Sequence, residues 1–236
     1  YLRPYTRESP FAIMVGFPGP HCPYDPSPEY AGIFAPEDMP VPYAVADDQP
    51  RDFIEKNVLG AGGAWNGVNY TEFTTAHKLK IRAHYAALVK QIDDKVGAII
   101  SALKESGKYD STIIIFCSDH GDYLGDHGLI GKGTYFESST KVPLIVHLPG
   151  TGERRVHEGP ASIEDITPTL LSFGGCEIPD YMDAQPLADL GITEAAAREQ
   201  AFGFVADGAM NFDGQWKLVR YSNGWSVLFD IENDPA

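Results

Sequence analysis

Ser111-Thr112-Ile113-Ile114-Ile115-Phe116-Cys117-Ser118-Asp119-His120-Gly121 is an apolar run that stops at an acid and an imidazole. The run shows no polar alternation, which is the pattern of a strand buried on both faces of an α/β sheet. Asp119 and His120 therefore leave the strand together, at the sheet edge where side chains converge on a ligand crevice. Downstream, Val142 to Leu148 forms a second continuous apolar run, closed by Pro149-Gly150, and reads as another buried strand. Upstream, Leu79, Ile81, Tyr85, Leu88, Ile92, Val96, Ile99, Ile100 and Leu103 follow helical spacing from about Thr75 to Ser106, with Gly107 as a stop signal. Phe11 to Phe17 is apolar and β-prone and runs into the Pro/Gly-rich stretch Pro18 to Pro28, so a buried strand feeding a rigid loop is expected there. A short helix is expected over Ile166 to Phe173. Strand, helix, strand, strand, helix describes an α/β sandwich.

Between Ala31 and about Tyr70 the chain is rich in Pro, Gly, Asp and Asn without sustained period, which predicts a long irregular excursion of the kind that shapes substrate pockets. After about residue 200 the texture changes. Ala201 to Ala206, Gln215 to Tyr221 and Ser226 to Ile231 are short β-prone runs separated by Asp-Gly and Asn-Gly turn pairs, predicting a small antiparallel sheet. The expected division is therefore 1–200 for the main α/β part and 201–236 for an incomplete antiparallel subdomain.

The 33 acidic against 18 basic residues give a formal charge of −15, which excludes non-specific partnership with nucleic acid or an anionic membrane surface. An anionic substrate would need a locally basic pocket. No apolar run approaches the roughly 18 residues of a spanning helix. The opening Tyr1-Leu2-Arg3-Pro4-Tyr5 lacks the basic-then-apolar layout of a signal peptide. Cys22, Cys117 and Cys176 are too few and scattered for a disulfide framework and show no C-x-x-C spacing, so they read as buried or incidental thiols.

A carboxylate beside an imidazole is a reasonable pair of ligands for a divalent ion. Taken locally, however, Asp119-His120-Gly121 also reads as an ordinary capping and turn sequence. Lys132 reads as an exposed lysine, and His21 as a turn histidine braced by Pro20 and Pro23.

The longer block changes this balance. Ser118-Asp119-His120-Gly121-Asp122-Tyr123-Leu124-Gly125-Asp126-His127-Gly128-Leu129-Ile130-Gly131-Lys132, leading through Tyr135 and Glu137 to Val142-Pro143-Leu144-Ile145, resembles the S-D-H-G-x-x-L-G-D-H-G-L-x-G-K block of the sulfatase family, within the alkaline-phosphatase superfamily. Pro20-His21-Cys22-Pro23-Tyr24 is similar to that family's P-H-x-P-[FY] loop. Ser162 to Leu171 resembles a segment that opens a family helix. Trp216-Lys217-Leu218 with Leu228 to Pro235 resembles its C-terminal subdomain.

The resemblance implies an alkaline-phosphatase-like α/β sandwich, partial here, and a set of site residues. Asp119 and His120 would ligate one divalent cation, Ca2+ first, with Mn2+ or Zn2+ open because an imidazole is less typical of calcium. His21 and Lys132 would bind the sulfate ester and assist departure of the alcohol, where charge grows as the S–O bond breaks. For His127, in the same block, support behind the site residues, a substrate contact and loop bracing all stay open. Glu137 and Lys141 would stabilise the fold. The family's nucleophile, a formylglycine made from Cys or Ser in a C/S-x-P/A-x-R motif, has no counterpart at Cys22, Cys117 or Cys176. Asp47-Asp48 does not stand in for the family's metal-binding aspartate pair and reads as surface charge. The chain is thus expected to be the C-terminal half of a hydrolase whose N-terminal half is its necessary partner, and to be inactive alone. Its parent would hydrolyse a small-molecule or carbohydrate sulfate ester. A phosphonate monoester or phosphodiester hydrolase and an inactive binding relative are the alternatives. A periplasmic or secreted location fits the family, and any signal peptide would lie in the preceding part.

Overall fold

The computed structural model describes residues 2–5, 9–44, 70–152, 154–191, 197–205 and 207–234. The chain packs as two compact units, one of Tyr1–Ile114 with Gly121–Lys132, the other of Ile115–His120 with Gly133–Ala236. The expected subdomain start coincides with the first strand of a sheet inside the second unit.

The first unit is built on helix α1, Thr75–Glu105. Its start is set by Thr74, whose hydroxyl accepts from the His77 amide while the His77 ring accepts from the Thr74 amide, so two otherwise orphaned N–H groups are satisfied reciprocally. Its end falls at Gly107, which adopts φ +66°, a conformation open to glycine at little steric penalty. Against α1 lies the loop Gly121–Lys132, whose Tyr123, Leu129 and Ile130 are buried. Arg82 of α1 braces this loop, pairing with the Asp126 carboxylate and donating from Nε to the Leu124 carbonyl at 3.0 Å. Gly125 has to be glycine here: its φ is +98°, and a Cβ would sit 2.8 Å from the Lys78 side chain.

The second unit holds a two-stranded sheet of β1, Ile114–Cys117, and β2, Leu144–His147, with β1 entering it from Ile115. It also holds the short helix α2, Glu137–Thr140, and helix α3, Ile166–Phe173. A four-stranded antiparallel meander follows: β3 Ala201–Val205, β4 Gly208–Phe212, β5 Trp216–Tyr221 and β6 Ser226–Asp230. Strand β5 alternates, with Lys217, Val219 and Tyr221 inward and Trp216, Leu218 and Arg220 outward. The inward Lys217 is 1% exposed and pairs with Glu137 at 2.6 Å, which neutralises a charge that burial alone would disfavour. The Tyr135 hydroxyl accepts from the Val205 amide at 2.8 Å and donates to the Gly208 carbonyl, anchoring the β3–β4 turn.

The expected long helix, short helix and C-terminal sheet are all present. Strand β4 was not foreseen, because Gly208-Ala209-Met210-Asn211 has little β propensity and is held by ladders on both sides. Phe11 to Phe17 is not a buried strand. It forms no ladder among the described residues, and Ile13, Met14 and Val15 are 47%, 95% and 51% exposed. β1 likewise is only half-buried, and its final residue, Cys117, is exposed. A strand exists through its neighbours, and apolar character without a hydrogen-bonding partner does not make one. Of the expected excursion, residues 31–44 carry a single turn of 3-10 helix, Pro36–Asp38, whereas 45–69, including Asp47-Asp48, lie outside the described residues.

Candidate active site

In the first unit, the Pro-rich loop after residue 17 and the end of the loop Gly121–Lys132 bring His21 and Lys132 together. Lys132 Nζ lies 2.6 Å from His21 Nε2, and His21 Nδ1 lies 2.7 Å from the Cys22 carbonyl oxygen. A carbonyl only accepts, so Nδ1 carries the proton and donates to it; Nε2 then presents its lone pair to the ammonium. The backbone thereby selects the tautomer that lets the imidazole face a cation. His21 also lines a cleft of about 400 Å³, together with Asp25, Leu88, Gln91, Ile92 and Lys95.

Two residues that sequence reasoning passed over hold these loops. Asp122 Oδ1 accepts from the Leu124 amide at 2.9 Å and the Gly131 amide at 3.1 Å, and its Oδ2 accepts from the Tyr24 hydroxyl at 2.7 Å. Burial pushes the Asp122 carboxyl above its ordinary value, while these donors and the Lys132 charge pull it back only in part. Burial, then the Asp122 charge, pushes the Tyr24 phenol far up, so the phenol stays protonated and donates. The Tyr24 carbonyl in turn faces His84 Nδ1 of α1 at 2.9 Å. Both residues stood inside the two recognised blocks; the missing signal was that one carboxylate could reach both loops.

His127 is 6% exposed and sits in the left-handed region at φ 55°. Its amide donates to the Tyr43 carbonyl at 3.0 Å, and its ring stacks on Tyr43 with centroids 6.3 Å apart. Burial pushes its pKa down, partly offset by the Asp126 charge, so the ring is neutral at pH 7.

In the second unit, Asp119 and His120 follow β1. Asp119 Oδ1 accepts from the His120 amide at 3.0 Å, and Oδ2 lies 3.4 Å from His120 Nε2. Burial would raise the Asp119 carboxyl, but the His120 ring charge and the surrounding backbone and Ser118 donors outweigh it, leaving the pKa below the ordinary value. The Asp119 side chain is 81% exposed. An ionised, exposed carboxylate with an adjacent imidazole has the donor chemistry of a divalent-cation site. Among the described residues, however, no cluster of three or more His, Cys, Asp or Glu with metal-holding geometry occurs. Other histidines serve locally, His77 in the α1 cap and His157 beside Asp189 at 2.8 Å. Among the described residues no helix is long and apolar enough to cross a membrane.

The architecture is that of the alkaline-phosphatase superfamily. It matches the phosphonate monoester hydrolase of Agrobacterium radiobacter with a TM-score of 0.79 and 28% identity, over 98% of this chain and 52% of that one. Within that superfamily this chain belongs to the sulfatase family, whose model, Sulfatase, matches residues 2–176. It is 34% identical to an arylsulfatase of Clostridium perfringens, over 100% of this chain and 50% of that protein. It is 31% identical to a choline-sulfatase of Rhizobium meliloti, over 96% of this chain and 45% of that protein. The chain thus spans about half the length of these relatives.

Proposed function

We propose that the full-length protein is a metal-dependent sulfuric ester hydrolase acting on a small-molecule or carbohydrate sulfate ester. The observation that carries this reading is the 2.6 Å approach of Lys132 Nζ to His21 Nε2, on two loops whose sequences match the sulfatase blocks. Cleavage of a sulfate ester leaves negative charge on the alcohol oxygen. An ammonium held against an imidazole can hold the ester oxygens and pass a proton to that oxygen, work worth roughly a hundredfold or more in rate. In a protein with net charge −15, this local cation is also what an anionic substrate requires. His127 completes the substrate side of the proposal, neutral and braced on Tyr43.

Asp119 and His120 would hold the divalent cation, calcium first and manganese or zinc as alternatives, with acidic ligands from the N-terminal half. Such an ion supplies charge stabilisation at the ester oxygens. The nucleophile would be a formylglycine in that same half. The division of this chain into a catalytic part, 1–200, and a C-terminal subdomain, 201–236, belongs to the same proposal, as does the inactivity of these 236 residues alone.

The likeness to phosphonate monoester hydrolase favours one second reading, hydrolysis of phosphonate monoesters or phosphodiesters. The test assays the full-length protein and this chain alone on an aryl sulfate, an aryl phosphonate and an aryl phosphodiester, with calcium or manganese added. Sulfate turnover by the full-length protein and none by the chain alone is expected. Faster turnover of the phosphorus esters would establish the second reading. Turnover by residues 1–236 that disappears in Lys132→Ala would overturn the placement of the nucleophile elsewhere.

A further inference from the structure

We infer that Asp122 is a positioning residue that sets the separation of His21 and Lys132; this rests on the roles proposed above for that pair. Two separate loops must deliver one side chain each to within 2.6 Å of the other. Neither His21 nor Lys132 itself lies in a strand or helix that would fix such a distance. Asp122 is the carboxylate that touches both. On the Lys132 side it accepts the amide of Gly131, the residue immediately before the lysine, and the amide of Leu124, which closes the turn at the other end of the same loop. On the His21 side it accepts the hydroxyl of Tyr24, three residues beyond the histidine.

Each end of this tether is itself anchored. Tyr123 N donates to the Gly131 carbonyl at 2.8 Å and Gly125 N to the Leu129 carbonyl at 2.8 Å, so the loop between Asp122 and Lys132 is closed on itself. Tyr24 is tied to α1 through its carbonyl and His84. The carboxylate is thus the joint between two stiff pieces, and its half-buried place shields the bonds from competing water. A carboxylate has two oxygens with two lone pairs each, so Oδ1 can serve both amides while Oδ2 serves the phenol. Asp122 reaches substrate only through Lys132 and His21.

The test uses the full-length protein with Asp122→Ala, Asp122→Asn, Tyr24→Phe, Lys132→Ala and the double variant Asp122→Ala/Lys132→Ala. Misplacement of a catalytic group by about 1 Å lowers rate by up to roughly 100-fold, so Asp122→Ala should lower kcat about 10- to 100-fold with a smaller change in KM. Asp122→Asn keeps an oxygen for the two amides and should restore most of that loss, and Tyr24→Phe should show a smaller fall. Because Asp122 acts through Lys132, the double variant should be little worse than Lys132→Ala alone. The sensitivity of the rate to leaving-group acidity should steepen in Asp122→Ala as it does in Lys132→Ala. A residue needed only for folding would give losses that multiply in the double variant and an unchanged leaving-group dependence, and either result overturns the proposal. Amide hydrogen exchange at Gly131, read on the same proteins, should accelerate in Asp122→Ala. If no ester is turned over by the wild type, the hydrolase reading fails, while an unchanged Gly131 exchange rate independently sinks the tether.

Discussion

Asp119 and Asp122 stand three residues apart in sequence, yet the two segments that carry them use a carboxylate in opposite ways. In the turn after β1, Asp119 keeps an 81% exposed side chain; burial pulls its pKa up, and its His120, backbone and Ser118 neighbours together outweigh that pull and leave it lowered. In the loop Gly121–Lys132, Asp122 is drawn inward, burial raises its pKa, and three hydrogen bonds occupy its oxygens. The difference teaches that a lowered pKa and an open carboxylate go together here. The exposed acid keeps its oxygens accessible, and the half-buried one spends its lone pairs on the chain itself.

The sharpest way to break the comparison is to separate metal from turnover. Lys132→Ala should lower kcat of the full-length protein by about 100- to 1000-fold, the range for losing a preorganised donor at a developing oxyanion, with bound metal unchanged. Asp119→Asn should instead release metal, with affinity falling by more than the roughly 10- to 100-fold typical of outer-shell losses. Metal analysis by mass spectrometry beside steady-state kinetics distinguishes the two, and an Asp119→Asn protein with full metal content would remove Asp119 from the site.

A smaller effect is expected in stability. Asp122→Ala leaves the Leu124 and Gly131 amides and the Tyr24 hydroxyl short of an acceptor and should destabilise by about 2 kcal/mol, as buried groups left unsatisfied do. Asp119→Ala, at an exposed turn, should stay within about 0.5 kcal/mol. Urea denaturation monitored by tryptophan fluorescence measures both, and equal effects would erase the distinction drawn here.

The smallest effect is in pH dependence, where the signs oppose. The folded pKa of Asp119 lies below its unfolded value, so the stability it contributes is present above the unfolded pKa and is lost as pH falls through the folded one. The folded pKa of Asp122 lies above its unfolded value. The native state then binds the extra proton, and stability falls as pH rises from the unfolded pKa through the folded one. Metal-free urea titrations across the acid range should show Asp122→Asn flattening a falling limb and Asp119→Asn flattening a rising one. The Asp119 contribution is the weaker because solvent screens an exposed charge.

Much of this was legible in the residues themselves. Helix α1 follows from a period of apolar residues closed by Gly107, and α3 from a short apolar cluster, because both are local hydrogen-bonded structures. The family, and with it His21, Lys132, Asp119 and His120 as candidates, follows from blocks long enough to be specific. Strand β4 and the exposed course of 11–17 were not legible, since a strand is decided by what lies beside it.

What the sequence by itself determined is therefore the membership of the chain in the sulfatase family and, with it, the candidates for the residues that carry its chemistry. Only the tertiary structure decided that His21 faces Lys132 through a backbone-selected tautomer, that Lys217 is a buried charge answered by Glu137, and that Asp122 joins two loops. Helical period and motif spacing are written in consecutive residues, whereas a hydrogen bond between residues 24 and 122 depends on where folding brings two distant turns.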